Sequence, residues 1–166
     1  MPSVLFVFTL TTKTLSAHLY YVLAPHATID IASPNGANPP VDEGSVKMFE
    51  NDPESLKFLA NETIKGQAHQ CQEAPRMFDL PVDPVNIKLA NEFYRPGKIV
   101  SAVCHGVAAL VGVTDTQGKS IFAGKNVTGF SNAEEEILSK TKDVPFSTED
   151  RIISLGGKYT KADKPF

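Results

Sequence analysis

Two cysteines in 166 residues, Cys71 and Cys104, are too few for a disulfide framework, and their settings differ, one polar and one apolar. A reducing compartment is the default: the cytoplasm, and the nucleus with it. Blocks of Lys and Arg are missing too. With 16 basic against 19 acidic residues and a formal charge of −3, nothing suggests a nucleic-acid surface or an anionic membrane surface. No stretch is long enough to span a bilayer. The apolar run VLFVFTL (residues 4–10) has no basic residue before it, and Lys13 follows where a signal peptide would carry small cleavage-site residues. A P-loop, a G-x-G-x-x-G after a strand, internal repeats and low-complexity tracts are all lacking, so a nucleotide site has no support. His69-Gln70-Cys71 offers two metal ligands, but no second pair lies at zinc-site spacing, so it reads as a polar loop. Small-molecule or protein partners remain.

What is present suits one globular domain, with 42% apolar and 21% charged residues in a chain long enough to bury a core. Residues 4–10 form a continuous apolar, β-branched and aromatic run, the mark of a strand covered on both faces and hence of a parallel sheet. Apolar residues at 15, 19, 22 and 23 predict a short helix ended by Pro25, with His18 and His26 flanking it without partners. Residues 28–32 alternate like a second strand, and SPNGANPP (33–40) is dense in turn formers, completing a β-α-β unit. Residues 41–72 yield one modest helix at 53–60 and no strand.

Asp83-Pro84 is a good N-cap followed by Pro at the first helical position, with apolar residues at 85, 89 and 93 on one face and Pro96-Gly97 as the stop. Residues 99–103 predict a second fully apolar strand and 106–113 a short buried helix. Two short strands are expected around Gly124-Lys125-Asn126. Ser131 and Glu134 fit the capping-box pattern S-x-x-E, which starts a helix through Ile137 and Leu138. Ser147 with Asp150 opens another, closed by Gly156-Gly157, and the tail from Lys158 suits a strand.

The chemistry concentrates at KIVSAVCHGVAALVG (98–112). A thiol at a strand-to-helix turn meets open backbone N–H groups and the positive end of the helix dipole, which favours thiolate. His105 adds a proton acceptor, provided that the backbone bends between two neighbours that a regular strand would point to opposite faces; Gly106 permits the bend. The competing reading is a small buried side chain, since Val-Cys in an apolar run usually packs. A third group is needed to orient His105. Of Glu134, Glu135 and Glu136, the first has capping-box duty, so Glu135 is the candidate, against the alternative of a plain solvated acid.

With VSAVCHGVAALV, AGKNVTGFSNAEEE, VPF and GGKYTKADKPF, together with DIASPNGANPPVD, MFDLP and KLANEFYRPGKIVSAVCHG, the sequence resembles the PfpI superfamily. Within it, the similarity is to the glutathione-independent glyoxalases, also called D-lactate dehydratases and heat-shock-type chaperones. The resemblance implies one PfpI-like domain over residues 1–166, a flavodoxin-like α/β three-layer sandwich with a mostly parallel sheet. It also implies Cys104 as nucleophile, His105 as its partner and Glu135 as the acid paired with the histidine. The implied reaction is methylglyoxal to D-lactate, a small carbonyl substrate handled without cofactor or metal, by a cytoplasmic protein that can form a homodimer.

The departures carry expectations of their own. Family members have a glutamate between the first strand and first helix, whereas here no Asp or Glu precedes Asp30. They also have an apolar strand ending in Gly-Gly-His-Gly before MFDLP, where this chain has QAHQCQEAPR. One central strand is therefore expected to be missing, with the oxyanion glycines, and the last strand and helix are expected to be absent after Phe166. Impaired turnover follows. The alternative function is a non-catalytic, stress-related holdase or a redox-sensing thiol on the same fold.

Overall fold

The structure is a computed structural model that describes residues 2–7, 15–33, 43–66, 69–70, 80–139, 141–142 and 144–164. The chain divides into two compact units, Met1–Arg76 and Met77–Phe166. In the first, β1 (Ser3–Val7), α1 (Leu15–Leu23) and β2 (Thr28–Ser33) make the expected β-α-β unit, with β1 and β2 parallel from Ser3↔Thr28 to Val7↔Ala32. Residues 8–10 of the apolar run lie outside the described residues. Three short helices follow, α2 (Glu43–Met48), α3 (Pro53–Leu59) and α4 (Glu62–Gly66). Only α3 is legible from its sequence. The expectation of no strand in this stretch is corrected by β3 (His69–Gln70), which pairs parallel with β2 through Ala32↔His69 and Ser33↔Gln70. Two ladder positions leave no periodicity to read, which is why HQ looked like a loop.

The core of this unit gathers Ala17, Ile31, Phe58 and Ile64, with Tyr20, Tyr21 and Ile29 packed against it. Helix α1 turns Ala17, Tyr20 and Tyr21 inward, while Leu19 and Val22 of the expected stripe are 38% and 65% exposed. Tyr20, Tyr21 and Phe58 meet edge to face at centroid distances of 5.4–6.4 Å, a geometry that aromatic rings favour. His18 does have partners. Its Nε2 stands 3.3 Å from both Asp52 Oδ2 and Glu54 Oε2.

Asp52 caps α3 by accepting from the Ser55 N–H at 2.9 Å, with Pro53 preset at the first helical position. Ser55, its side chain first and its N–H after it, holds the Asp52 carboxyl below the usual carboxylate range; His18 adds to this and burial opposes it. A depressed carboxyl pKa stabilises the fold above its unfolded value, and the contribution is lost as pH falls through the folded one. Asp52→Asn is therefore expected to be less stable than the parent at neutral pH. The gap should close as pH drops below about 4, the range in which an ordinary aspartate protonates. Urea unfolding followed by circular dichroism from pH 7 downward reads this, and a gap independent of pH would contradict it.

The second unit runs α5 (Pro84–Tyr94), a 3₁₀ helix (Cys104–Leu110), β4 (Asn126–Val127), α6 (Asn132–Ile137), α7 (Thr148–Ser154) and β5 (Lys158–Tyr159). Asp83 caps α5 through its Oδ1, which accepts from the N–H groups of Val85 and Asn86, and Gly97 at φ +86° ends the segment after it. The face expected at 85, 89 and 93 is not the one used: Val85 is 55% exposed, and Ala90 and Tyr94 reach the core. Two amides fasten the helix instead. Asn86 Nδ2 donates to Leu80 O and to Ala109 O (2.9 and 2.7 Å), and Asn91 Oδ1 accepts from Thr114 N–H at 2.8 Å.

Residues 99–103 form no strand among the described residues, and Ile99 is 90% exposed, so that expectation is also corrected. An apolar run reports an appetite for cover, and it carries no information about which neighbours are at hand. Of the two strands expected around Gly124, one exists. β4 pairs parallel with β5 (Asn126↔Lys158, Val127↔Tyr159), while residues 121–124 are turn beside an isolated Thr114↔Ser120 bridge. Val107, Val113, Ile121, Phe122 and Ile152 make the core. Among the described residues, parallel ladders between helical crossovers, in sheets of three and two strands, constitute an incomplete flavodoxin-like α/β fold.

Candidate functional site

Cys104 stands at φ +58°, in the left-handed region that non-glycine residues rarely occupy. The residue before it, Val103, is extended, and the 3₁₀ helix begins at Cys104 itself, two residues earlier than the expected helix. The bend needed to bring thiol and imidazole together is thus made by the cysteine. Gly106, to which the sequence reading gave that task, is not among the glycines with positive φ. A backbone strain of this kind costs about 1–3 kcal/mol and persists where the surroundings enforce it. It turns the side chain out of the extended run, and Cys104 Sγ comes to lie 3.5 Å from His105 Nδ1.

The other ring nitrogen points the opposite way. His105 Nε2 is 2.8 Å from Glu135 Oε1, in a contact in which both side chains are buried. Glu135 owes its direction to the capping box of α6. Ser131 accepts from the Glu134 N–H, and the Glu134 carboxylate reaches back to the Ser131 N–H at 2.7 Å and to its hydroxyl at 2.8 Å. That commits Glu134 to the helix end and leaves the next residue facing inward. Glu135 is 3% exposed, and its Oε2 is buried with no hydrogen-bond partner among the described residues. The reading of Glu135 as a plain solvated acid is excluded by this burial.

A carboxylate can only accept, so the Nε2 proton is donated to Glu135 and the Nδ1 lone pair is turned toward the sulfur. Three residues expected to work together do lie in one hydrogen-bonded row. Sequence reasoning missed a fourth, Phe130, whose ring stacks on His105 at 3.9 Å between centroids and 28° between planes. Its only signal was an aromatic residue just before the S-x-x-E motif. A cavity of about 20 Å³, room for one water, adjoins His105 among Pro81, Ala108, Val144, Pro145 and Phe146. Behind Phe130, Tyr159 donates its hydroxyl to Gly129 O at 2.8 Å. Burial first, then the charges of Glu149 and Glu134, push that phenol up to about 12. Among the described residues, no group of three or more His, Cys, Asp or Glu could hold a metal ion, and no helix is long and apolar enough to cross a membrane.

No family model matches the chain. Known proteins do. The chain is 37% identical over 89 residues to the glutathione-independent glyoxalase HSP31 of Saccharomyces cerevisiae, a match covering 50% of this chain and 37% of that protein. Against glyoxalase 3 of Candida albicans it is 39% identical over 66 residues, covering 39% of this chain and 28% of that one. The matched part therefore spans well under half of these relatives. Among solved structures, the Rapid Encystment Protein 24 KDa of Francisella tularensis superposes with a TM-score of 0.82 at 30% identity, over 99% of this chain and 85% of that one. The chain belongs to the PfpI superfamily.

Glyoxalase III of Candida albicans superposes with a TM-score of 0.73 at 20% identity, over 99% of this chain and 84% of that one, and shares the fold. Cys104 stands where extended chain turns into helix, without a sheet strand before it among the described residues.

Proposed function

We propose that this PfpI-superfamily chain is a glutathione-independent glyoxalase by descent, acting on a small 2-oxoaldehyde such as methylglyoxal. What supports the reading is the row Cys104–His105–Glu135, with a thiol on a strained backbone and an oriented imidazole 3.5 Å away. Cys104 gives its proton to His105 Nδ1 and attacks the aldehyde carbon, forming a C–S bond, and the carbonyl oxygen takes the proton to give a hemithioacetal. The imidazole then removes the hydrogen from that carbon and returns a proton to the neighbouring one through an enediol, leaving a lactoyl thioester. Water hydrolyses the thioester to D-lactate and restores the thiol, so the sum is methylglyoxal plus water, with no net redox change. Glu135 touches no substrate in this scheme and positions His105.

Turnover is slow in this reading. The acid before the first helix and the oxyanion glycines that the resemblance calls for have no counterpart, and losing one oxyanion donor costs about 10²–10³ in a hydrolase. The same deficit favours a second reading, a redox-sensing or holdase-like stress protein on the same fold. The same resemblance supports a cytoplasmic protein of the lyase class of D-lactate dehydratases, able to pair with a second copy of itself. Incubation with methylglyoxal and enzymatic assay of D-lactate, with Cys104→Ala as control, decides between the readings. Slow formation that vanishes in the variant is expected; equal inertness of both proteins would sink the enzyme reading.

A further inference from the structure

His105 is held at Nδ1 by the thiol and at Nε2 by Glu135, and both contacts lie at the edge of the ring, where hydrogen bonds tolerate tilts of tens of degrees. Packing against the face of the ring narrows that tilt, and Phe130 supplies it. This side chain is 5% exposed and lies nearly parallel to the imidazole at 3.9 Å.

Its place in the chain gives the contact a further meaning. Ser131 is the N-cap of α6, so Phe130 is the residue before the cap and Glu135 is the fourth helical position. These are the two positions that commonly touch each other as a hydrophobic staple. Here both touch His105, Phe130 on its face and Glu135 on its edge. The capping box of Ser131 and Glu134 lies between them and fixes the turn that sets their separation. The segment before it is also fixed: Tyr159 holds Gly129 O, and a Cβ added at Gly129 would stand 3.3–3.4 Å from Thr148, Ile152 and Val107.

We infer that Phe130, with the Ser131–Glu134 capping box, is a positioning device that clamps His105 between the staple positions of α6 and keeps Nδ1 aimed at Cys104. The inference deepens the proposed function, since the base it aligns is the one invoked there. Its test nevertheless needs no turnover. The rate of Cys104 alkylation by iodoacetamide is measured against pH and read peptide by peptide so that Cys71 is not counted, with His105→Ala defining the profile of an unassisted thiol.

Wild type is expected to react faster than His105→Ala below the ordinary thiol range. Phe130→Leu should lose about three- to tenfold of that excess, the scale of one aromatic contact, while Phe130→Tyr keeps it. A purely structural Phe130 would lower the melting temperature of the leucine variant and leave its pH profile unchanged, which would overturn the inference. A wild-type profile equal to that of His105→Ala would overturn it as well, as would loss of the excess in Phe130→Tyr. Should Phe130→Leu not fold, Glu134→Ala opens the capping box from the half-buried side, and the excess must shrink there too. Absence of D-lactate alongside the expected profiles would remove the glyoxalase reading and leave the clamp standing.

Discussion

Under the proposed glyoxalase chemistry, Glu135→Gln, which keeps the volume of the side chain, is expected to lower D-lactate formation by about 10²- to 10⁴-fold, the scale of a mispositioned acid–base partner. The argument is one of direction. A carboxylate has no proton, so the buried Oε1 at 2.8 Å accepts from His105 Nε2 and the bare Nδ1 faces the thiol. An amide can offer an N–H to Nε2, which moves the ring proton to Nδ1 and points it at the sulfur. The imidazole is then unable to take the thiol proton. Burial makes the effect large, because the two side chains are only 10% and 4% exposed and bulk solvent does little to restore the lost acceptor. The measurement is kcat/KM with methylglyoxal at protein concentrations high enough to register a slow parent. A variant within threefold of it would show that the tautomer does not matter and that Glu135 serves only the packing of α6.

The parts of this site that were legible in the sequence are those written in short-range code. Asp83-Pro84, Ser131 with Glu134, and Ser147 with Asp150 each place a cap within four residues, and each is made as expected. Glu135 followed from the same logic: once Glu134 is committed to the cap, its neighbour points elsewhere. What could not be read depends on partners far away in the chain. The turn at Cys104 is enforced by its surroundings, and nothing in the local letters says that the cysteine instead of Gly106 takes the positive φ. Helix α1 leaves Leu19 and Val22 of its apolar stripe exposed and buries Ala17 with the tyrosine side, where the Phe58 ring on α3 meets Tyr20 and Tyr21. Asn86 and Asn91 fasten α5, and nothing local announces it, since each meets a backbone group some twenty residues on.

The strain at Cys104 has to be held by packing, and that makes one core residue decisive. Ile152 on α7 is fully buried and shares its core with Val107, which lies three residues beyond Cys104 on the 3₁₀ helix. Ile152→Ala removes three carbons from a site with little room to collapse; even a Cβ on Gly157 would come within 2.6 Å of the isoleucine Cγ2. The expected loss is about 2–5 kcal/mol, the range for truncating a fully buried isoleucine. Ile153→Ala, one residue on and 54% exposed, should stay within about 0.5 kcal/mol of the parent. Urea unfolding of the two variants under the same conditions checks the pair, and similar losses would mean that α7 does not present the face assigned to it. The comparison reaches the site as well. A backbone held at φ +58° by packing relaxes when the packing is thinned, so the Ile152 variant should lose the assisted alkylation of Cys104 even where it is still folded, and the Ile153 variant should retain it.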